Sequence, residues 1–153
     1  MATVTTQLKW NGELQFTGKT AKGFETVMDG NTAVAASPME LLLEATGGCS
    51  AIDVVLILQK MRLNLTHLEV SLEGARNETE PKYYTTMTMR FDVWGDDLSE
   101  DKVVRAINLS IGKYCSVFHS LRKDMQFGAE YRIHVPGTEA AGEYQTVAFT
   151  APE

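Results

Sequence analysis

The sequence predicts an α+β protein with a mainly antiparallel sheet, helices packed on it and a long buried central helix. Three observations support this fold class. Apolar and polar residues alternate in the first third of the chain and again after its central segment, as in half-buried strands. The segment Ser37–Met61 is apolar on nearly every side, as in a helix enclosed by other elements. A second helix and further strands follow, and this order of elements is typical of α+β proteins.

Length and charge restrict the class of protein. The chain has 153 residues, 44% of them hydrophobic, and a net charge of −6. We therefore expect a single domain over residues 1–153 with a sizeable core. The acidic balance disfavours nucleic acid and anionic membrane surfaces as partners. The first ten residues lack a basic region followed by an apolar run, so we expect no signal peptide and a cytoplasmic location.

Three strands are predicted before the central helix. Alternation runs from Val4 to Trp10, and Asn11-Gly12 is typical of a β-hairpin turn. The alternation resumes in the return strand around Leu14 and Phe16. A third strand is expected over Phe24–Met28, followed by a connector of small residues.

The central helix has a recognisable start and a weak middle. Ser37 is expected to be its N-cap, with Pro38 in the first helical position and Glu40 closing a capping box. Gly47-Gly48 lowers helix propensity by about 2 kcal/mol, which predicts close approach of another backbone or a kink. Glu40, Glu44 and Asp53 interrupt the apolar surface and argue against a membrane span.

A small sheet can cover only one side of a helix that is apolar all round. We therefore expect the remaining side to be buried by a second copy of the chain in a two-fold homodimer.

The last two thirds of the chain are predicted to alternate between strands and helices. A helix capped by Ser99 is expected to stop at Gly112. The other predicted elements are a strand around Leu68–Leu72, a long strand Tyr83–Trp94, a short helix Val117–Lys123, a strand Ala129–Val135 and a final strand Glu143–Phe149.

The two cysteines, Cys49 and Cys115, are either inert core thiols or a redox pair. Their spacing does not fit a zinc ribbon, and the three histidines are scattered, so we expect no metal. Cys115 precedes the predicted short helix, whose N–H groups would stabilise a thiolate, and His119 and Arg122 follow in that helix. Cys49 lies in apolar company and would need a charged group from elsewhere to react. A buried cysteine in an apolar helix is more often simply part of the core.

Two motifs resemble those of a known family. Pro38-Met39-Glu40-Leu41-Leu42 followed by Gly47-Gly48-Cys49-Ser50-Ala51 resembles the central-helix motif of the OsmC/Ohr family, the osmotically inducible protein C and organic hydroperoxide resistance proteins. Tyr114-Cys115-Ser116-Val117 resembles the second cysteine motif of that family. The residues of the first motif are similar to those of the same motif in the YhfA-like branch of the family.

The resemblance implies an OsmC-like fold, in which mainly antiparallel sheets wrap around the long buried central helix. It also implies an intertwined homodimer and a role in oxidative-stress defence. It implies that Cys49 is the peroxidatic thiol and Cys115 the resolving thiol in the reduction of an organic hydroperoxide. A dithiol reductant of the lipoyl type is expected to regenerate the pair. No metal or bound cofactor is implied.

The chain departs from the family pattern at two positions. The family carries an arginine in the N-terminal strand region, whereas no arginine precedes Arg62 here. Lys19 or Lys22 could supply a point charge instead, without the planar fork of arginine. Met39 occupies the position of the family glutamate, and the acid lies one residue later, at Glu40, about 100° further around the helix.

Three hypotheses about function follow. In the first, the protein is a cysteine-based (peroxiredoxin-type) organic hydroperoxide reductase with Lys19, Lys22, Glu40, His119 and Arg122 as candidate supporting groups. In the second, the same dimer binds a small apolar molecule without catalysis. In the third, which is weaker, the disulfide acts as a redox sensor.

Overall fold

The structure is a computed structural model, and it describes residues 2–150. The chain divides into two compact units, Met1–Leu42 and Leu43–Glu153. The prediction of a single domain over residues 1–153 stays a prediction. The elements, in chain order, are β1 Thr6–Gly12, β2 Gln15–Thr20, β3 Glu25–Asp29, α1 Pro38–Lys60, β4 Asn64–Arg76, β5 Tyr84–Asp96, α2 Glu100–Leu109, α3 Ser116–His119, β6 Gln126–His134 and β7 Gln145–Thr146.

The first unit contains an antiparallel sheet in the order β1-β2-β3. The predicted hairpin is present, but its turn lies at Glu13-Leu14 instead of Asn11-Gly12. An irregularity in the β1–β2 pairing follows Trp10, and Gly12 there adopts a φ of 105°. Because a glycine accepts this backbone conformation at no steric cost, it extends the strand through the expected turn position.

Helix α1 begins as predicted. The Ser37 N–H donates to Glu40 Oε1 at 3.0 Å, and the Glu40 N–H donates to Ser37 Oγ at 3.2 Å. These two bonds form a capping box. The backbone hydrogen bond from Ser37 is the main reason that the pKa of Glu40 is lowered.

One face of α1 is buried within this chain. The buried residues recur at helical spacing and are Thr46, Gly47, Ser50, Val54 and Leu58. Ile52 and Leu56 are 63% and 51% exposed. Burial of that second face by another copy stays a prediction. By length and composition alone α1 could cross a membrane, a test that the core helix of a soluble protein also passes.

The second unit contains a sheet in the order β4-β5-β6-β7. The pairs β4–β5 and β6–β7 are antiparallel, as predicted for most of the protein, whereas β5 and β6 run parallel. Parallel neighbours require a crossover connection, and α2 and α3 lie in it. The core packed on this sheet includes Val54, Leu58, Met87, Met89, Phe91, Val93, Val103 and Ile107.

Two helix ends differ from the predictions. Helix α2 ends at Leu109 and the chain continues as a π-helical turn, Ser110–Tyr114, so Gly112 does not stop it. Helix α3 has four residues instead of covering Val117–Lys123. The Ser120 N–H donates to the carbonyls of Val117 and Phe118, which closes the helix.

A carboxylate cluster lies in the second sheet and consists of Asp92, Arg132, His134 and Tyr144. Asp92 is 6% exposed. Its carboxylate accepts bonds from Arg132 Nε at 2.7 Å, from the Tyr144 hydroxyl at 2.6 Å and from Arg132 through a second nitrogen at 3.2 Å. His134 Nε2 lies 2.7 Å from the same carboxylate. These bonds lower the pKa of Asp92 to about 2 although burial acts in the opposite direction.

Candidate active site

The structure brings the two cysteines together. Cys49 lies in the middle of α1, and Cys115 lies between the π-helical turn and α3, where it is the N-cap residue of α3. Both are free thiols, and the Cys115 sulfur contacts the carbonyl of Thr46, which lies three residues before Cys49 in α1. Cys49 is partly exposed, whereas Cys115 is completely buried. The pair therefore has one thiol that solvent can reach and one that it cannot.

Burial controls the acidity of Cys115. Its sulfur accepts the Phe118 N–H at 3.5 Å, so the predicted contact with the helix N-terminus is present. The sulfur also lies 3.9 Å from the Thr46 carbonyl. Burial raises the pKa of Cys115 to about 11, and the nearby Cys49 and Asp53 act in the same direction against the Phe118 N–H. The predicted amide contact therefore favours the thiolate, but burial outweighs it and the net pKa of Cys115 is raised.

A chain of three polar side chains adjoins the thiols. Ser110 Oγ donates to Asp53 Oδ2 at 2.9 Å and lies 2.8 Å from Ser50 Oγ. Ser50 and Ser110 are completely buried. Because the Ser110 hydrogen is directed at Asp53, Ser50 is the donor in the other bond. We call these three residues, together with Cys49 and Cys115, the thiol cluster.

Ser110 also holds the segment that carries Cys115. The Cys115 N–H donates to the Ser110 carbonyl at 2.7 Å, which closes the π-helical turn. The sequence indicated Asp53 only as a polar interruption of the apolar helix, and it did not predict a role for Ser50 or Ser110. The sequence feature that could have indicated Ser50 is its position next to Cys49 on a helix that is otherwise mainly apolar.

The two glycines before Cys49 have different surroundings. A Cβ atom at Gly47 would overlap the Leu72 side chain of β4. A Cβ atom at Gly48 would have nothing within 4 Å. The predicted close approach is therefore present at Gly47, although a side chain makes it instead of a backbone. Gly48 leaves open space beside Cys49.

Two of the candidate supporting residues, His119 and Arg122, follow Cys115 in the sequence. His119 ends α3 and is exposed, with its ring edge-to-face against Phe118 at 5.6 Å. Arg122 makes a bidentate pair with Asp124 at 2.9 and 2.7 Å and lies 3.8 Å over the Tyr83 ring. The contacts seen for these side chains are thus with Phe118, Asp124 and Tyr83.

The other three candidates belong to the first compact unit. Lys19 lies in β2, Lys22 lies in the turn that follows, and both are exposed. Glu40 is bonded to Ser37 in the capping box. Within residues 2–150, no group of three or more His, Cys, Asp and Glu side chains is arranged to hold a metal ion.

The long helix with a central thiol, the second thiol within the crossover and the mixed sheet together define an OsmC-like protein. A family model described as "OsmC-like protein" matches residues 29–130, and the chain belongs to this family. The chain is 44% identical over 128 residues to the protein YhfA of Escherichia coli K12, covering 83% of this chain and 96% of YhfA. The resemblance predicted from the two cysteine motifs is confirmed.

Solved structures confirm the predicted α+β, OsmC-like fold class. A hypothetical protein from Aquifex aeolicus VF5 is 30% identical with a TM-score of 0.81, over 88% of this chain and 98% of that one. The organic hydroperoxide resistance protein OhrB of Bacillus subtilis is 15% identical with a TM-score of 0.57, over 86% of this chain and 98% of that one. At this identity the second match shows a shared fold alone.

Proposed function

We propose that this protein reduces organic hydroperoxides through Cys49 and Cys115, as a contribution to oxidative-stress defence. The observation that carries the proposal is the proximity of two free thiols with unequal burial, since the buried Cys115 sulfur contacts α1 three residues before Cys49. The family is related to hydroperoxide resistance and redox proteins, which supports the same chemistry.

In the first step, the thiolate of Cys49 attacks one oxygen of the hydroperoxide. A sulfur–oxygen bond forms, the oxygen–oxygen bond breaks, and the alkoxide takes a proton to leave as an alcohol. Cys49 is oxidised to a sulfenic acid and the hydroperoxide is reduced. Cys49 takes this role because it is the thiol that a dissolved peroxide can reach.

In the second step, Cys115 attacks the sulfenic acid of Cys49. The disulfide forms, the sulfur–hydroxyl bond breaks, and the hydroxyl leaves as water with the proton of Cys115. Because its pKa is raised, Cys115 carries its proton before the attack, and this is the proton that leaves with the hydroxyl as water. An external dithiol of the lipoyl type then reduces the disulfide by two exchange reactions and is itself oxidised.

We further propose a homodimer in which a second copy covers the exposed face of α1. A groove of about 540 Å³ runs along this face beside β4. Its lining is mostly apolar and comprises Ala51, Ile52, Val55, Leu56, Gln59, Leu65, Thr66, His67 and Leu68. Members of this family are commonly dimeric. We place the reaction in the cytoplasm, where free thiols are maintained.

Titration of thiols tests the reaction directly. Reduced protein mixed with cumene hydroperoxide is expected to lose both thiols of each chain and to gain an internal disulfide. Cys115→Ser should instead accumulate sulfinic acid at Cys49, and Cys49→Ser should consume no hydroperoxide. An unchanged thiol content of the unmodified protein after this treatment would refute the proposal.

A second candidate function is the binding of a small apolar molecule without catalysis. The apolar groove favours it, as does the lack of the family arginine and glutamate, since no arginine precedes Arg62 and Met39 occupies the glutamate position. Native mass spectrometry of the purified protein is then expected to show a co-purified ligand that Cys49→Ala retains. A ligand-free spectrum together with thiol loss in hydroperoxide would rule out this alternative.

A further inference from the structure

Ser110 connects the two halves of the thiol cluster. Its hydroxyl is bonded to Ser50 and Asp53, which lie one and four residues after Cys49 in α1. Its carbonyl accepts the N–H of Cys115. One completely buried residue therefore fixes the segment of the second cysteine against the helix of the first.

The bonds of Ser110 bear on the geometry of disulfide formation. A sulfur that attacks another must approach within bonding distance, and a disulfide tolerates only a narrow range of backbone separations. The sulfur of Cys115 is itself held weakly, by an amide at 3.5 Å and a carbonyl at 3.9 Å. The stronger oxygen–oxygen bonds of Ser110 are thus the contacts that restrict where Cys115 can lie.

We propose that Ser110 is a positioning residue for the capture of oxidised Cys49 by Cys115, with Ser50 and Asp53 as its anchors. This inference rests on the proposed hydroperoxide reduction for its biological meaning. Holding two reacting groups in place raises their effective concentration, and a displacement of about 1 Å can slow such a step by about 100-fold. Fast capture is what keeps the sulfenic acid from further oxidation.

The competition between capture and over-oxidation provides the first measurement. Reduced protein is mixed with increasing cumene hydroperoxide, and the ratio of disulfide to sulfinic acid is determined by mass spectrometry. In Ser110→Ala the hydroperoxide concentration that gives equal amounts of both is expected to fall by about 10-fold or more, in line with a lost positioning contact. The rate at which Cys49 is first oxidised, measured with a sulfenic acid trap, is expected to stay unchanged.

Three further variants separate positioning from charge and from general damage. Asp53→Asn keeps an oxygen that can accept the Ser110 hydroxyl, so it should retain fast capture, whereas Asp53→Ala should behave like Ser110→Ala. Ser116→Ala is the matched control, because Ser116 is exposed and also adjoins Cys115. Equal losses in Asp53→Asn and Asp53→Ala, or a loss in Ser116→Ala as large as in Ser110→Ala, would overturn the proposal.

A second measurement needs no peroxide. The disulfide is equilibrated with reduced and oxidised dithiothreitol, and the equilibrium constant for Cys49–Cys115 closure is determined for each variant. Ser110→Ala and Asp53→Ala are expected to lower this constant by about 10-fold, since they loosen the pair. An unchanged constant would overturn the positioning role. If the unmodified protein does not consume hydroperoxide but the constant falls as expected, the proposed function fails while the positioning of Cys115 stands.

Discussion

The thiol cluster and the carboxylate cluster both bury polar groups in the larger unit, but different bonds hold them. Asp92 is held by Arg132, Tyr144 and His134 at 2.6 to 3.2 Å. Cys115 is held by an amide at 3.5 Å and a carbonyl at 3.9 Å. Charge-assisted bonds are short and strong, whereas a thiol is a weak donor and a weak acceptor.

The two clusters also differ in the pKa of their central group. The pKa of Asp92 is lowered to about 2, so this group keeps its charge over the ordinary pH range. The pKa of Cys115 is raised to about 11, so this group keeps its proton over the same range. The comparison indicates that the carboxylate cluster stabilises the sheet, and that in the thiol cluster the Cys115 sulfur is weakly bonded while Ser110 holds the Cys115 backbone.

The largest expected effect concerns the charge of Asp92. Asp92→Asn leaves the mostly buried Arg132 without its counter-charge and is expected to destabilise the protein by about 3–5 kcal/mol. Urea denaturation followed by circular dichroism measures this change. Asp124→Asn is the matched control, because it removes an exposed bidentate partner of Arg122 and should cost about 1 kcal/mol or less. Similar losses in both variants would contradict the structural role given to the carboxylate cluster.

The next effect is the loss of stability of the protein at acid pH. Because Asp92 has a lower pKa in the folded protein than its usual 3.8, its contribution is complete above pH 3.8 and is lost as the pH falls towards about 2. The shift corresponds to about 2 kcal/mol. Denaturation midpoints measured between pH 2 and 5, at about one-unit steps, should fall less steeply in Asp92→Asn than in the unmodified protein. Parallel curves for the two proteins would argue against this assignment.

The stability of the protein at alkaline pH tests the raised pKa of Cys115 in the same way. Its folded pKa is raised above the usual 9.0, so its contribution is complete below pH 9 and is lost as the pH rises through about 11. In Cys49→Ser, where Cys115 is the sole thiol, absorbance of the thiolate at about 240 nm should appear well above its ordinary range, since burial is the main cause. Titration of that thiol near its ordinary value would show that burial does not control it.

The smallest effect concerns the two glycines beside Cys49. Gly47→Ala should destabilise the protein by about 1–3 kcal/mol, because the new methyl group overlaps Leu72. Gly48→Ala is the matched control and should stabilise it by about 0.5–1 kcal/mol, since its Cβ meets open space on a helix. Thermal melting of both variants checks the contrast, and Leu72→Ala should reduce the penalty at Gly47. A loss at Gly48 as large as at Gly47 would mean that Leu72 is not its cause.

Local features of the fold could be predicted from the sequence. The capping box of α1 and the N-cap at Ser99 depend on residues only three apart, so the sequence shows both partners. The buried face of β5 follows from simple alternation. The parallel pairing of β5 and β6 could not be predicted, because it depends on where a crossover returns.

The candidate site could be predicted only in part. The cysteine motifs indicated both thiols, and the structure places the sulfur of Cys115 against α1 near Cys49. Ser110 could not be found, because its partners Ser50 and Asp53 are distant in sequence and the π-helical turn that directs it has no pattern of its own. The amide contact of Cys115 could be predicted from the helix start, whereas the burial that outweighs it could not, because the sequence does not show the depth of a side chain.

The parallel pairing of β5 and β6 has a consequence for the order of events during synthesis. Cys49 leaves the ribosome long before Cys115, and the segment carrying Cys115 is fixed at its far end by a strand that comes later still. Contacts between such distant parts of a chain form late, because closing a long loop costs entropy before any contact offsets it. A nascent chain is therefore expected to carry Cys49 without Cys115 beside it until β6 docks, and an oxidant that reaches Cys49 earlier would find no second thiol within reach.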